Sequence, residues 1–449
     1  MTGQDRALGL LEKALKDFPA DQGWALYLGG AKSLTRFANN TIHQNVAEES
    51  GEVILAAVIG KRMGVATTSV LTPAALRRCA RQAAAMAKLT PENPDFTSLP
   101  GPKPLPSLTT WFEATAACTP IQRAEAIRGF IDRADRLGIT LAGALSTGAA
   151  DVAVANTLGV RAYQALTAAD LNIVAHTDDS SGYAFGLHRD FGRLDLDALA
   201  DRAMAKCAAS RGPRDIAPGR YTVVLEPPAA GELLEWMGYI GLGAKTVEEE
   251  TSFMAGRFGQ PITGERLTIL DDPTDPDGLA MPFDFEGVPK QRVMLIERGV
   301  ARAVVHDSLS AGKAGTESTG HGMTPGAGTG PMPLNLQMAA GDTPMADLVS
   351  RVERGLLVTR FHYVNGYLDT RHAQMTGMTR DATFWIEDGR VRHPVKNLRF
   401  TEEVLEAFRR IEAVSAERWP VAASWGEIGA LVAPALLIRD FAFTGDTAF

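Results

Sequence analysis

The chain has 449 residues, of which 45% are hydrophobic and 22% charged, and a formal net charge of -8. That balance excludes a disordered, fibrous or small disulfide-stapled protein, and at roughly 100 to 200 residues per domain the length predicts two or three domains. The negative balance repels a phosphate backbone and no long Lys/Arg run offsets it, so nucleic acid is not an expected partner.

The opening segment, "MTGQDRALGLLEKALKD", places Leu8, Leu11 and Leu15 at helical spacing among charges, an amphipathic helix rather than a signal peptide. β-rich runs follow in "WALYLGG" and "TRFANNTIHQNV", then in "GEVILAAVIGKRMGVATTSV", where Gly60 to Gly64 read as the turn of a hairpin. Thr72 and Pro73 predict the cap and first residue of a helix. The stretch "TPENPDFTSLPGPKPLP" is a proline-rich loop, and further helices are expected over about 119–137 and 194–209 with strands between. No window is apolar enough to predict a membrane span. Cys79, Cys118 and Cys207 are scattered without a C-x-x-C pair, the usage of a reducing cytoplasm.

Glycine and proline gather in "ASRGPRDIAPGRYTVVLEP", the expected boundary between an N-terminal α/β domain (1–215) and a β-rich, barrel-like C-terminal domain (216–449). The fold class is therefore α+β. "RVMLIERGVARAVVHD" and "ATFWIEDGRVRHPVKN" both read as hairpins, the second turning at Asp388 and Gly389. Between them, "GKAGTESTGHGMTPGAGTGPMP" is a glycine-rich loop, expected to be flexible and near a functional cleft. Pro331 and Pro333 follow it in place of a helix N-terminus, which argues against a phosphate cradle.

Ser310 and Lys313 in "SAGK" have the S-x-x-K spacing, although a solvated lysine beside a turn satisfies the same pattern. No two of the eight histidines lie four apart, so no helical zinc pair is written locally. In "TRFHYVNGYLDTRH", strand alternation puts Arg360, His362 and Val364 on one face and Phe361 and Tyr363 on the other. In "GELLEWMGYIG", Leu233, Met237 and Ile240 form an apolar helical stripe that implies core packing. Glu235 on that helix is then either partly solvated or paired with an arginine.

Four blocks in order, "TRFANNTIHQN", "EGVPKQRVMLIERGV", "HDSLSAGKAGTESTGHG" and "TGMTRDATFWIEDGRVRHPVKNLRFTE", together resemble the TldD/PmbA family, named both as peptidases and as modulators of DNA gyrase. The resemblance implies an N-terminal α/β part and a barrel-like C-terminal part carrying the active site. In TldD-type members a helix bears H-E-x-x-x-H, whose histidines bind zinc with a cysteine from near the C-terminus. PmbA (TldE)-type members lack these ligands and pair with a TldD-type partner. The frame falls on "LEWMGY", so Leu234, Glu235 and Tyr239 take the three positions and Gly238 the fifth place. No cysteine follows Cys207, and "AASWGEIGALVAPALLIRDF" stands where one is expected.

The resemblance thus implies a cofactor-free PmbA/TldE-type subunit of a cytoplasmic peptidase complex acting on unstructured peptides. Its partner is a TldD-like catalytic subunit in a heterodimer, or a second copy in a homodimer. An extended peptide adds as a strand to an exposed edge, and Glu235, His306, His321, Arg360 and His362 are the candidate contacts. The alternative is a peptidase active on its own, through a metal held among His306, His321, His362 and His372 or by a metal-free route. A gyrase- or DNA-associated regulator is a third possibility, disfavoured by the acidic balance.

Overall fold

The structure, a computed structural model, is described for residues 2–424 and 429–447. The first half contains α1 (Gln4–Leu15), β1 (Gln22–Ala38), β2 (Thr41–Ile59), β3 (Arg62–Thr68), α2 (Pro73–Leu89), α3 (Glu113–Ala116), α4 (Pro120–Leu137), β4 (Thr140–Asn156), β5 (Arg161–His176), β6 (Ser181–His188) and α5 (Leu196–Ala209). Its six strands form one antiparallel sheet in the order β3-β2-β1-β4-β5-β6. The helix start expected at Thr72 and Pro73 forms, and the structure adds the caps of α4. Thr72 caps α2 by accepting from the Ala75 amide, and Thr119 and Gln122 make a capping box ahead of Pro120 in α4, which stops at left-handed Gly138.

Strand alternation divides this sheet into two faces. Tyr27, Leu55 and Ala153 pack under α1 and α2, and Leu145 and Ile173 under α4 and α5. Trp24, Leu26, Ile54 and Val154 point the other way and meet Phe283, Phe285, Met332 and Leu334 from the second half. One turn differs from expectation. The β2–β3 turn is Gly60 and Lys61, whereas Gly64 lies inside β3, where a Cβ would come within 2.1 Å of the Ala87 amide nitrogen of α2. Gly64 is thus a close-approach residue and not a turn residue.

The second half contains β7 (Gly219–Leu225), α6 (Pro227–Gly241), α7 (Ala244–Glu248), β8 (Ile269–Asp271), β9 (Val293–Glu297), β10 (Val300–Ala301), α8 (Ser308–Ala314), β11 (Leu336–Met338), α9 (Met345–Ser350), β12 (Arg354–Asp369), β13 (Gln374–Glu387), β14 (Arg390–Val395), β15 (Leu398–Glu403), α10 (Val404–Arg409), β16 (Ile411–Val421) and β17 (Leu431–Asp446). Its mixed sheet runs β10-β9-β8-β11-β17-β15-β13-β12-β7, and a further β17–β7 pairing closes the last five strands into a ring. The architecture is α+β with a near-barrel second half. Among the described residues no helix is long and apolar enough to cross a membrane.

Both predicted hairpins form, turning at Arg298–Gly299 and at Asp388–Gly389 with positive φ at all four residues. Strand β12 departs from the alternation expected of it. Its register shifts between Val358 and Arg360 and between His362 and Asn365, so Phe361 and Val364, assigned to opposite faces, both enter the core. Tyr363, in the left-handed region at φ 50, is turned outward and 76% exposed. Each bulge offsets the period of two, which a sequence pattern does not reveal.

Candidate functional site

Helix α6 starts directly after β7 with Pro227 and Pro228 in its first turn, where their missing amides cost nothing. It is apolar nearly all round. Leu233, Met237 and Ile240 are buried, as their spacing predicted, and Leu234 joins them at 0% exposure. A helix surrounded by core holds its few polar side chains in fixed positions.

Glu235 is one of those side chains, at 6% exposure. The sequence predicts partial solvation or an arginine partner for it; among the described residues it has neither and is bonded to a serine instead. Its Oε1 accepts the Ser424 amide at 2.6 Å and also the Ser424 hydroxyl. The same hydroxyl lies 2.8 Å from the Tyr239 phenol, one helical turn further on. Burial raises the pKa of Glu235, and the two Ser424 bonds pull against that rise. Burial likewise keeps the Tyr239 phenol protonated beyond its ordinary range. Residues 425–428 of the segment in which the C-terminal cysteine was expected lie outside the described residues.

Glu232, one turn before Glu235, is half-buried and pushed up to about 7 by burial and then by the charge of Glu235. Arg360 opposes that rise. Arg360 donates through Nε to Asp381 at 2.6 Å, and its guanidinium carbon sits 4.1 Å from the ring centroid of Tyr183 on β6. Burial lifts Tyr183 to about 12. Asp381 and Ala382 both have positive φ, at 54 and 82, and such strain persists only where surrounding contacts enforce it. Asp381 meets Arg360 at this place.

The histidines are placed elsewhere. His321 is fully enclosed between Asp271, 2.9 Å from Nε2, and Thr319, 2.9 Å from Nδ1, and burial lowers its pKa. His306 is joined to that loop through its backbone, and its Nδ1 is buried without a partner among the described residues. His362, lowered first by burial and then by Arg380 and Arg360, lines an inter-domain surface groove. His372 pairs with Asp369 at the exposed end of β12. Among the described residues no three His, Cys, Asp or Glu side chains converge as a metal site. The S-x-x-K pattern also dissolves, since the Ser310 hydroxyl belongs to a capping box with Asp307 and Lys313 pairs with Asp95 and Glu248.

The structure therefore assembles Glu235 and Tyr239 around Ser424, with Glu232 and Arg360 beside them, and leaves His306, His321 and His372 outside that hydrogen-bonded centre. Sequence reasoning missed Ser424, Glu232, Asp381 and Tyr183. Two glutamates three apart on an otherwise apolar helix were an available signal for Glu232. The other three come from distant segments. Chemically, Glu232 can exchange a proton near neutrality, Glu235 is a fixed acceptor, and Leu234 offers no donor atom.

An α+β chain whose near-barrel half encloses a helix with buried carboxyl groups is the class that fold and site define. Residues 218–445 match the PmbA/TldA metallopeptidase C-terminal domain and residues 27–87 match PmbA/TldA metallopeptidase domain 1, so the chain belongs to the TldD/PmbA metallopeptidase family. It is 30% identical over 247 residues to a metalloprotease TldD homolog of Haemophilus influenzae, covering 52% of this chain and 50% of that protein. It is 27% identical over 242 residues to metalloprotease PmbA of Escherichia coli O157:H7, covering 53% and 50%. These matches span about half the length of the curated relatives. The crystal structure of TldE from Thermococcus kodakarensis superposes with a TM-score of 0.87 at 22% identity, covering 97% of this chain and 100% of that one, a likeness of fold.

Proposed function

We propose that this chain is a PmbA/TldE-type, metal-free subunit of a peptidase complex acting on unstructured peptides. The observation that carries the reading is the use of Ser424 to occupy the Glu235 carboxylate and the Tyr239 phenol together. At the three positions of the H-E-x-x-x-H frame stand an aliphatic side chain in the core, a carboxylate already bonded and a neutral phenol. That donor set does not suit zinc, which takes imidazole, thiolate or free carboxylate. Cleavage then belongs to a TldD-like catalytic partner in a heterodimer, with a homodimer as the other arrangement.

The strand edge for an extended peptide is β2. From Thr41 to Glu52 it pairs with β1 alone, and among the described residues β3 covers only Val53 onward. An unpaired edge of that length offers main-chain hydrogen bonds that tolerate many sequences. Solitary peptidase activity by a metal-free route is favoured by one observation, the near-neutral pKa of Glu232.

Metal analysis of the purified chain, with peptide cleavage measured with and without chelator, separates these readings. The subunit reading expects no stoichiometric zinc, no cleavage by the chain alone, and cleavage once a TldD-like partner co-purified from its own cell extract is present. Stoichiometric zinc with chelator-sensitive cleavage by the isolated chain overturns it, and chelator-insensitive cleavage by the isolated chain supports the solitary route.

A further inference from the structure

A half-open cleft lies between the two halves, apart from the Glu235 centre. It holds about 290 Å³, the lower limit of ligand pockets and room for one amino-acid-sized group. Trp24, Met63, Phe96 and Leu99 of the first half and Met323 of the glycine-rich loop supply apolar walls, and Glu286 is among the polar residues that line it. The walls are fixed in place. The Trp24 indole donates to the Phe285 carbonyl at 3.0 Å, Lys245 donates to the Gly328 carbonyl and Lys61 to the Pro94 carbonyl. The glycine-rich loop forms one lip of the pocket, which places it beside a cleft.

Glu286 is the unusual group. One of its oxygens accepts the Ser308 amide at 2.9 Å and the Ser308 hydroxyl at 2.6 Å. The other makes no hydrogen bond among the described residues. Burial, then the charges of Asp284 and Asp307, hold its carboxyl well above the usual range, which favours the protonated, hydrogen-donating form. Gly322 makes room for it, since a Cβ there would lie 2.6 Å from the Glu286 Cγ. Both lysines are engaged by carbonyls and most of the lining is apolar, so the pocket suits an apolar guest bearing a carbonyl acceptor.

We propose that this cleft is a side-chain pocket that receives one leucine- or phenylalanine-like residue of an extended peptide, with Glu286 donating to a neighbouring peptide carbonyl. The proposal rests on the peptide-binding reading above and adds a sequence preference to it. Position supports it. Tyr239, at the end of the Glu235 centre, packs on the same buried cluster as Trp24, Leu99, Met63 and Phe96, so the cleft and that centre are built on one core.

The test uses the full chain with N-acetyl-leucinamide, N-acetyl-phenylalaninamide, N-acetyl-glycinamide and N-acetyl-aspartamide as probes, read by calorimetry or ligand-detected NMR. The apolar amides are expected to bind at least about tenfold more tightly than the glycine and aspartate amides. Leu309→Trp, at an exposed position on the rim, and Glu286→Ala should each lose most of that binding, whereas Glu286→Gln, which keeps an N–H donor, should retain it. Equal binding of the leucine and glycine amides, or wild-type binding by Leu309→Trp, overturns the pocket. Binding of the apolar amides without binding of any extended peptide upholds the pocket and overturns the peptide-subunit reading.

Discussion

Ser424 and Glu235 lie 189 residues apart in the chain, yet the serine donates both its amide and its hydroxyl to a single oxygen of the glutamate. That double contact converts a buried carboxylate, otherwise costly, into a satisfied acceptor. It also ties Ser424, just beyond β16, to helix α6.

Ser424→Ala removes the hydroxyl donor and leaves the amide. The carboxylate then loses one of its two compensating bonds, and unfolding by urea should show a loss of about 1–3 kcal/mol. Glu235 should also titrate higher by carboxyl-resolved NMR, because the lost bond favoured its charged form.

Glu232 predicts a pH dependence. Its folded pKa, about 7, lies above that of an unfolded glutamate. Between about pH 4.5 and 7 the folded state therefore holds the extra proton. The associated stability is fully present below that window and is lost as pH rises through it. Glu232→Gln should flatten the stability profile there and raise stability at pH 8 by on the order of 2 kcal/mol, measured by denaturant titration at several pH values. A profile as steep as that of the unmodified chain would sink the assignment.

Arg360→Ala strips Asp381, which is 3% exposed, of its hydrogen-bonded partner and leaves it only the more distant Arg380 at 4.0 Å. Arg360 is itself partly exposed and Arg380 stays nearby, so the loss should be about 1–3 kcal/mol, the cost of a charged hydrogen bond, and less than that of a fully buried pair. Arg360→Lys keeps the charge but gives up the planar contact with Tyr183, so an intermediate loss in thermal denaturation is expected.

Two glycine substitutions should act in opposite directions. Gly64→Ala drives a methyl group into the α2 backbone at Ala87 and Ala83, which rigid packing resists at a cost of about 1–3 kcal/mol or more. Gly9 lies within α1, and an added Cβ there meets nothing within 4 Å. Gly9→Ala should therefore stabilise the chain by about 0.5–1 kcal/mol, and the pair is compared by chemical denaturation.

Much of the fold was legible because the signals are local. Thr72–Pro73 and Thr119–Pro120 mark helix starts through bonds within four residues, and Asp388–Gly389 sets its own turn through backbone preference. The stripe of Leu233, Met237 and Ile240 likewise depends on nothing but the helical repeat. The β12 bulges were not legible, since a register shift is decided by the neighbouring strand and leaves the residue types unchanged. Nor was the position of Gly64, whose glycine reads as a turn until α2 is laid across it.

What the chain alone determined were its α+β character, its hairpins and the apolar helix bearing Glu235, together with its family likeness. Only the tertiary structure decided which polar groups meet. It brought Ser424 to Glu235 and Tyr239, and Asp381 and Tyr183 to Arg360, and it enclosed Glu286 beside Trp24. Hydrogen bonding and burial act over a few ångströms of space whatever the separation in sequence, so a site built from distant strands becomes readable only once the sheets have closed around it.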